Sequence, residues 1–170
     1  MKKIYKYFVE GECEQKLINA LKTPPSNYLV AGKVEVFNFT KERITPQRIA
    51  VLKRNTVIIL VYDIDVKNTE ILEENIKRLK TFGFKIIYHI QSINNFEDEI
   101  VYSTSIKNID ELYNTNNVSE FKSSFLHQGD ILLKLSKNNF DPNKIWSRIN
   151  TKRPFSKYSN IESIKIIRNK

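Results

Sequence analysis

The chain has 170 residues and a net charge of +9, with 41% hydrophobic and 28% charged residues, which suits one globular domain and excludes an intrinsically disordered segment. No apolar run approaches the ~20 residues that span a bilayer, and the longest, Thr56 to Tyr62, has strand length. The lone cysteine, Cys13, excludes an internal disulfide, and its neighbours Glu12 and Glu14 favour a protonated thiol over a catalytic thiolate.

Lys2 and Lys3 open the chain, but Lys6, Glu10, Glu12 and Glu14 interrupt any signal-peptide core, so a cytoplasmic protein with no membrane association is expected. Ile4 to Val9 is β-branched and aromatic and reads as a strand. Gly11 follows, and Glu12 to Lys22 places Leu17, Ile18 and Leu21 at helical spacing before Pro24 and Pro25 stop it. After a loop through Ser26 and Gly32, Val34 to Phe39 alternates as a second strand. Thr45-Pro46 is an N-cap followed by a first-turn proline, with Ile49 and Leu52 as the apolar stripe. Thr56 to Tyr62 is apolar without alternation, the mark of a parallel strand buried on both faces. Thr69 to Phe82 is an amphipathic helix with Ile71, Leu72, Ile76 and Leu79 inward, ended by Gly83. Phe84 to Ile90 is a fourth strand, with His89 as a core histidine, and a mixed segment from Ile93 to Thr104 carries the acidic run Phe96-Glu97-Asp98-Glu99.

This order predicts an α/β fold: an open, mainly parallel, Rossmann-like sheet with helices on both faces over residues 1–105. Residues 106–170 are expected to form a basic, mainly helical extension packed on the same domain. Its expected helices are Ile109 to Tyr113, Ser119 to Leu126, Ile131 to Leu135, and one starting at Asp141-Pro142 and running to Ile149. From Lys134 onward ten basic residues face only Asp141 and Glu162, so nearly all the excess charge lies there, interleaved with Phe140, Trp146, Phe155 and Tyr158. Basic side chains neutralise phosphates and aromatic faces stack on bases, so a nucleic-acid partner is expected. Lys67, Lys144, Arg148, Lys152 and Arg153 are the candidate contacts. A solvated lysine-rich surface is the competing reading.

Two acidic motifs end strands. Glu10 closes the first strand, and Asp63 and Asp65 follow the third. In an open parallel sheet the carboxyl ends of the strands share one crevice, so these groups should meet. Gathered carboxylates repel unless a cation neutralises them, and oxygen-only ligation selects Mg²⁺ or Mn²⁺. Asp63 and Asp65, two apart on extended chain, can reach the same ion. Gly11 suits a sharp strand-to-helix turn and the close approach of a phosphate to a helix N-terminus.

The segments Phe8-Val9-Glu10-Gly11-Glu12-Cys13-Glu14 and Val61-Tyr62-Asp63-Ile64-Asp65 together resemble the two signature motifs of the Toprim fold, which is found in topoisomerases, bacterial primases, OLD-family nucleases and RloB-like proteins of bacterial defence loci. Glu10, Gly11 and Glu14 are most similar to the OLD and RloB-like branch, and the resemblance covers about the first 100 residues. It implies a Mg²⁺- or Mn²⁺-dependent nuclease acting on DNA or RNA, of the kind that serves as a phage-defence effector or subunit. Glu10 would be a general acid/base or metal ligand, and Asp63 and Asp65 catalytic metal ligands. Glu14 would complete a second metal site, with Glu97 as a further acidic ligand. The chain has no ATPase, primase or topoisomerase body, so any such activity would need a partner chain, an ATPase being the implied one. Oligomeric state is not legible. Two other readings remain: a non-catalytic module that binds nucleic acid or an ATPase on a Toprim scaffold, and a haloacid-dehalogenase-type phosphatase. The latter would use Asp63 of Asp63-Ile64-Asp65-Val66 as nucleophile.

Overall fold

A computed structural model describes residues 3–151, 153–159 and 161–168. In chain order these form β1 (Ile4–Val9), α1 (Glu12–Lys22), β2 (Lys33–Val36), α2 (Pro46–Ala50), β3 (Thr56–Asp63), α3 (Glu70–Thr81), β4 (Ile87–Ser92), α4 (Phe96–Ser103), α5 (Val118–His127), α6 (Ile131–Ser136) and α7 (Ile161–Ile167). Short 3-10 turns lie at Ile109–Leu112 and Phe155–Tyr158. The fold is α/β, with one four-stranded sheet in the order β2-β1-β3-β4 and every neighbouring pair parallel.

Alternate residues of the central strands enter two different cores. Tyr7, Val9, Ile59, Val61 and Ile90 face one layer, where they meet Leu17, Ile18 and Leu21 of α1, Phe96 and Ile100 of α4, and Phe121, Phe125, Ile131 and Leu135 from α5 and α6. Phe8, Ile58, Leu60 and Tyr62 face the other, where they meet Ile49 of α2 and Leu72, Ile76 and Leu79 of α3. Because both faces of β3 are covered, its sequence has no polar alternation. Burial on this scale contributes ~25 cal/mol per Å² of apolar surface removed from water, which makes the two layers the main source of stability.

Strand order fixes where the functional edge lies. From β1 the chain moves outward to β2, then crosses back over β1 to β3 and continues to β4. The order therefore reverses between β1 and β3, and the carboxyl ends of these two strands flank the crevice at that point. Val9 pairs with Val61, so Glu10 and Asp63 emerge side by side.

Two strands are placed differently from the sequence expectation, for local reasons. β2 stops at Val36 because Asn38 diverts the backbone: its Oδ1 accepts hydrogen bonds from the N–H groups of Thr40 (3.0 Å) and Lys41 (3.1 Å). β4 begins at Ile87 and not at Phe84 because Phe84 belongs to the end of α3. Gly83 takes φ +95°, its N–H bonds to Lys80 O (3.0 Å), and the Phe84 N–H reaches Leu79 O (3.1 Å). That double bond pattern is the glycine-ended helix stop of the Schellman type.

The helix expected from Asp141 to Ile149 is absent, and turns replace it. The backbone groups a helix would use are taken by other elements. Glu99 accepts the Trp146 N–H (2.9 Å), and Arg168 donates to the carbonyls of Pro142 (3.2 Å), Asn143 (3.0 Å) and Ile145 (3.0 Å). Trp146 itself has φ +55° and is buried. The 3-10 turn at Phe155–Tyr158 and the helix α7 were not legible in the sequence.

Candidate functional site

Glu10 sits directly beyond β1 with its side chain only 13% exposed. Its Oε2 accepts the backbone N–H of Asp63 at 3.0 Å, which stitches the ends of β1 and β3 together. Its Oε1 accepts from Asn38 Nδ2 at 2.6 Å and from the Lys41 ammonium at 3.1 Å. Glu10 is thus fixed from three directions, and only one of these partners is a full charge.

Asp63 is the last residue of β3 and turns its carboxyl inward. Burial pushes its pKa up to about 8, and the nearby Glu14, Glu10 and Glu97 carboxyls push the same way. Its Oδ1 and the neighbouring Ser92 Oγ are both buried. The Ser92 hydroxyl is close enough to favour the ionised form but is not aligned for a full hydrogen bond. Glu14, one turn into α1, is 6% exposed. Burial again leads in raising its pKa, to about 7, with Glu10 and Glu97 adding to it and its own backbone N–H and Lys122 opposing.

Gly11 has a different role from the one its position suggested. Its φ of −147° is open to any residue. What it supplies is space, since a Cβ there would stand 3.1 Å from the Glu14 carboxylate, which folds back over the start of α1. Cys13 belongs to the same neighbourhood, and burial, then Glu14, pushes its thiol up to about 12, so it stays protonated.

The other acids are less closely gathered. Glu97, in the first turn of α4, is buried and ion-paired at 3.1 Å with Lys122 of α5. Asp65 is half-exposed beyond β3 and meets the site through Lys41, whose ammonium lies 3.5 Å from its Oδ2. Electrostatics therefore links Glu10, Glu14, Asp63 and Glu97, and Lys41 links Asp65 to Glu10. Glu99, the neighbour of Glu97, is instead fully buried and holds the backbone of Ile93 and Trp146 and the guanidinium of Arg148.

The expected nucleic-acid contacts lie on several separate segments of the chain. Lys67 is exposed in the loop after Asp65, on the same edge as the site, and Arg153 is exposed near the C-terminal 3-10 turn. Arg148 is bound to Glu99 at 2.6 Å and stacks on Tyr102 with 4.6 Å to the ring centroid, so its charge is taken up internally. Lys144 is exposed on the turn that Asp141 ties to Ser103, at the far end of α4, roughly 12 Å of helix from the site edge. Lys152 lies outside the described residues. Three participants were missed: Lys41, Asn38 and Lys122. Asn38 carried a turn signal, but no sequence periodicity marks either lysine, because their positions depend on the turn after β2 and on how α5 docks.

Two features fit a divalent cation. Glu10 and Asp65 already face a single cationic point, the Lys41 ammonium, and Asp63 Oδ1 is a buried oxygen with no aligned partner. All of these donors are hard oxygens, as Mg²⁺ and Mn²⁺ require. Among the described residues, however, no three Asp, Glu, His or Cys side chains converge closely enough to grip an ion as they stand. No helix among them is long and apolar enough to cross a membrane. No family model, curated protein or solved structure matches the chain.

Proposed function

We infer that the chain is a Mg²⁺- or Mn²⁺-dependent nuclease of the Toprim type, hydrolysing DNA or RNA phosphodiesters as an effector or subunit of bacterial phage defence. One observation carries this reading. At the point where strand order reverses, Glu10 is locked to the Asp63 backbone at 3.0 Å, beside a buried Asp63 carboxyl without an aligned partner. Burial and the neighbouring carboxyls oppose ionisation of Asp63, and a cation joining it would offset them. Glu10, Asp63 and Asp65 would hold the ion, with Glu14 and Glu97 extending the acidic set. The ion would supply charge neutralisation and Lewis acidity at a phosphodiester. Lys67, on the same edge, would meet a phosphate. An ATPase, where required, would come from a partner chain.

The test is cleavage of single- and double-stranded DNA and RNA with Mg²⁺ or Mn²⁺ against chelator. Wild type is expected to cut at least one substrate, and Glu10→Gln and Asp63→Asn are expected to lower the rate about 100-fold or more. Metal-independent cleavage, or none by wild type, sinks the enzyme reading. A second reading is favoured by the unconverged acids and the Lys41 ion pair: a module that binds nucleic acid without cutting. Salt-sensitive binding indifferent to chelator would mark it. No specific observation favours the phosphatase reading with Asp63 as nucleophile, and Asp63 ends the third strand and not the first.

A further inference from the structure

We propose that Lys41 is a built-in occupant of the cation position, its ammonium standing between Glu10 and Asp65 until a divalent ion displaces it. The proposal rests on the metal-binding reading above and deepens it by naming what the ion must compete with.

Three observations support it. The first is convergence. Glu10 and Asp65 come from the ends of different strands, and their only shared neighbour among the described ion pairs is the Lys41 Nζ, at 3.1 Å and 3.5 Å. An ammonium and a divalent cation seek the same oxygens, so both cannot hold them at close range.

The second is that the backbone presenting Lys41 is built, not loose. Asn38 Oδ1 accepts from Thr40 N–H, Thr40 Oγ1 and Lys41 N–H, while its Nδ2 donates to Glu10 itself. One side chain therefore shapes the turn that carries the lysine and fixes the carboxylate it meets. The rest of the turn is pinned by the buried Asn75 of α3, which accepts from Ile44 N–H (2.8 Å) and donates to Phe39 O (3.0 Å) and Glu42 O (2.7 Å). Phe39 and Ile44 are buried on either side.

The third is that the ammonium can leave. The Lys41 side chain is 48% exposed, so its four-carbon stem has solvent to swing into while the turn stays in place. A lysine ammonium is fully charged at neutral pH, so the side chain competes as a cation.

The test is a Mn²⁺ titration of the metal-stripped full chain, with free Mn²⁺ counted by electron paramagnetic resonance. Lys41→Met is expected to bind Mn²⁺ about two- to five-fold tighter than wild type, the range an exposed ion pair of this kind is worth. Lys41→Arg, which keeps the charge, should stay near wild type. Lys137→Met, which removes an exposed charge elsewhere, should leave binding unchanged. Lys41→Gln repeats the test with a polar side chain should the methionine variant misfold. If wild type binds Mn²⁺ and the uncharged Lys41 variants bind equally or more weakly, this proposal is overturned while the metal reading stands. If no variant binds at millimolar Mn²⁺, both fall.

Discussion

Asp63 sets the proton inventory of the site. An aspartate unfolds into water with a pKa near 3.9, whereas burial beside Glu14 and Glu10 pushes it up to about 8 here. Glu14 behaves alike, reaching about 7. Between those limits the folded protein holds more protons than the unfolded chain, so stability falls as pH rises. The penalty is absent below pH ~4 and fully developed above the folded values. Asp63→Asn is therefore expected to raise the midpoint of thermal unfolding of the metal-free protein at pH 8.5 and to leave it nearly unchanged at pH 4. For a domain of this size each 1 kcal/mol is worth about 2–4 °C. Scanning calorimetry in chelator at the two pH values decides it, and equal shifts at both would show that Asp63 is ionised throughout. Glu10 and Asp63 were legible because each ends an apolar strand in a sheet whose topology the sequence also implies. Lys41 and Lys122 were not, because a lysine in a polar stretch looks the same whether it faces solvent or a carboxylate.

At the scale of elements, Glu99 shows why part of the fold escaped the sequence. It is fully buried, and its Oε1 accepts from Ile93 N–H (2.9 Å) and from Arg148 Nη2 (2.6 Å) while its Oε2 accepts from Trp146 N–H (2.9 Å). One carboxylate thereby joins the start of α4 to the turns of residues 141–150. The composition of that stretch permits a helix, and the long-range bonds override it. Local pattern cannot report a bond that spans 47 residues. Glu99→Gln leaves the Arg148 guanidinium without its counter-charge and is expected to cost on the order of 3 kcal/mol, read as a lower denaturant midpoint. A change below ~0.5 kcal/mol would show that this carboxylate is not the joint. Gly32 is a second element-scale constraint. A Cβ there would stand 2.6 Å from the Tyr5 carbonyl oxygen, so Gly32→Ala must move backbone and should cost about 1–3 kcal/mol. Gly129→Ala, where a Cβ meets nothing within 4 Å, is the matched control and should be nearly neutral.

Across the whole molecule, the C-terminal segment binds the two layers together. Phe155 enters the core beneath α2 and α3, while Ile164 and Ile167 of α7 enter the opposite core with α1. The segment thereby packs against β4, the edge strand of the sheet. Gln91 of β4 donates to Phe155 O (3.0 Å) and to Tyr62 Oη (3.0 Å), and Lys157 pairs with Glu73 of α3 at 2.6 Å. Composition marked this segment as basic, but not that its aromatic residues go inward. His89 lies under it, stacked on Tyr158 with centroids 5.0 Å apart and 3.1 Å from the Tyr62 hydroxyl. Burial, then the charge of Lys80, lowers its pKa to about 4 from an ordinary value of 6.5. The sign is opposite to that of Asp63. His89 stays neutral in the folded state while the unfolded chain takes up a proton below pH 6.5, so its contribution is complete above that value and is lost as pH falls toward 4, by about 3 kcal/mol. The metal-free protein therefore carries two opposed slopes. From pH 8 down to 6.5 the buried acids make it more stable, and below 6.5 His89 works against them. His89→Gln should remove only the opposing histidine contribution, so that the unfolding midpoint rises more steeply between pH 6.5 and 4 than in wild type, where one proton lost at His89 offsets about half of the two gained at Asp63 and Glu14. Thermal unfolding at half-unit pH steps in chelator separates the two, and an unchanged slope below pH 6.5 in the variant would assign the opposing contribution to some group other than His89.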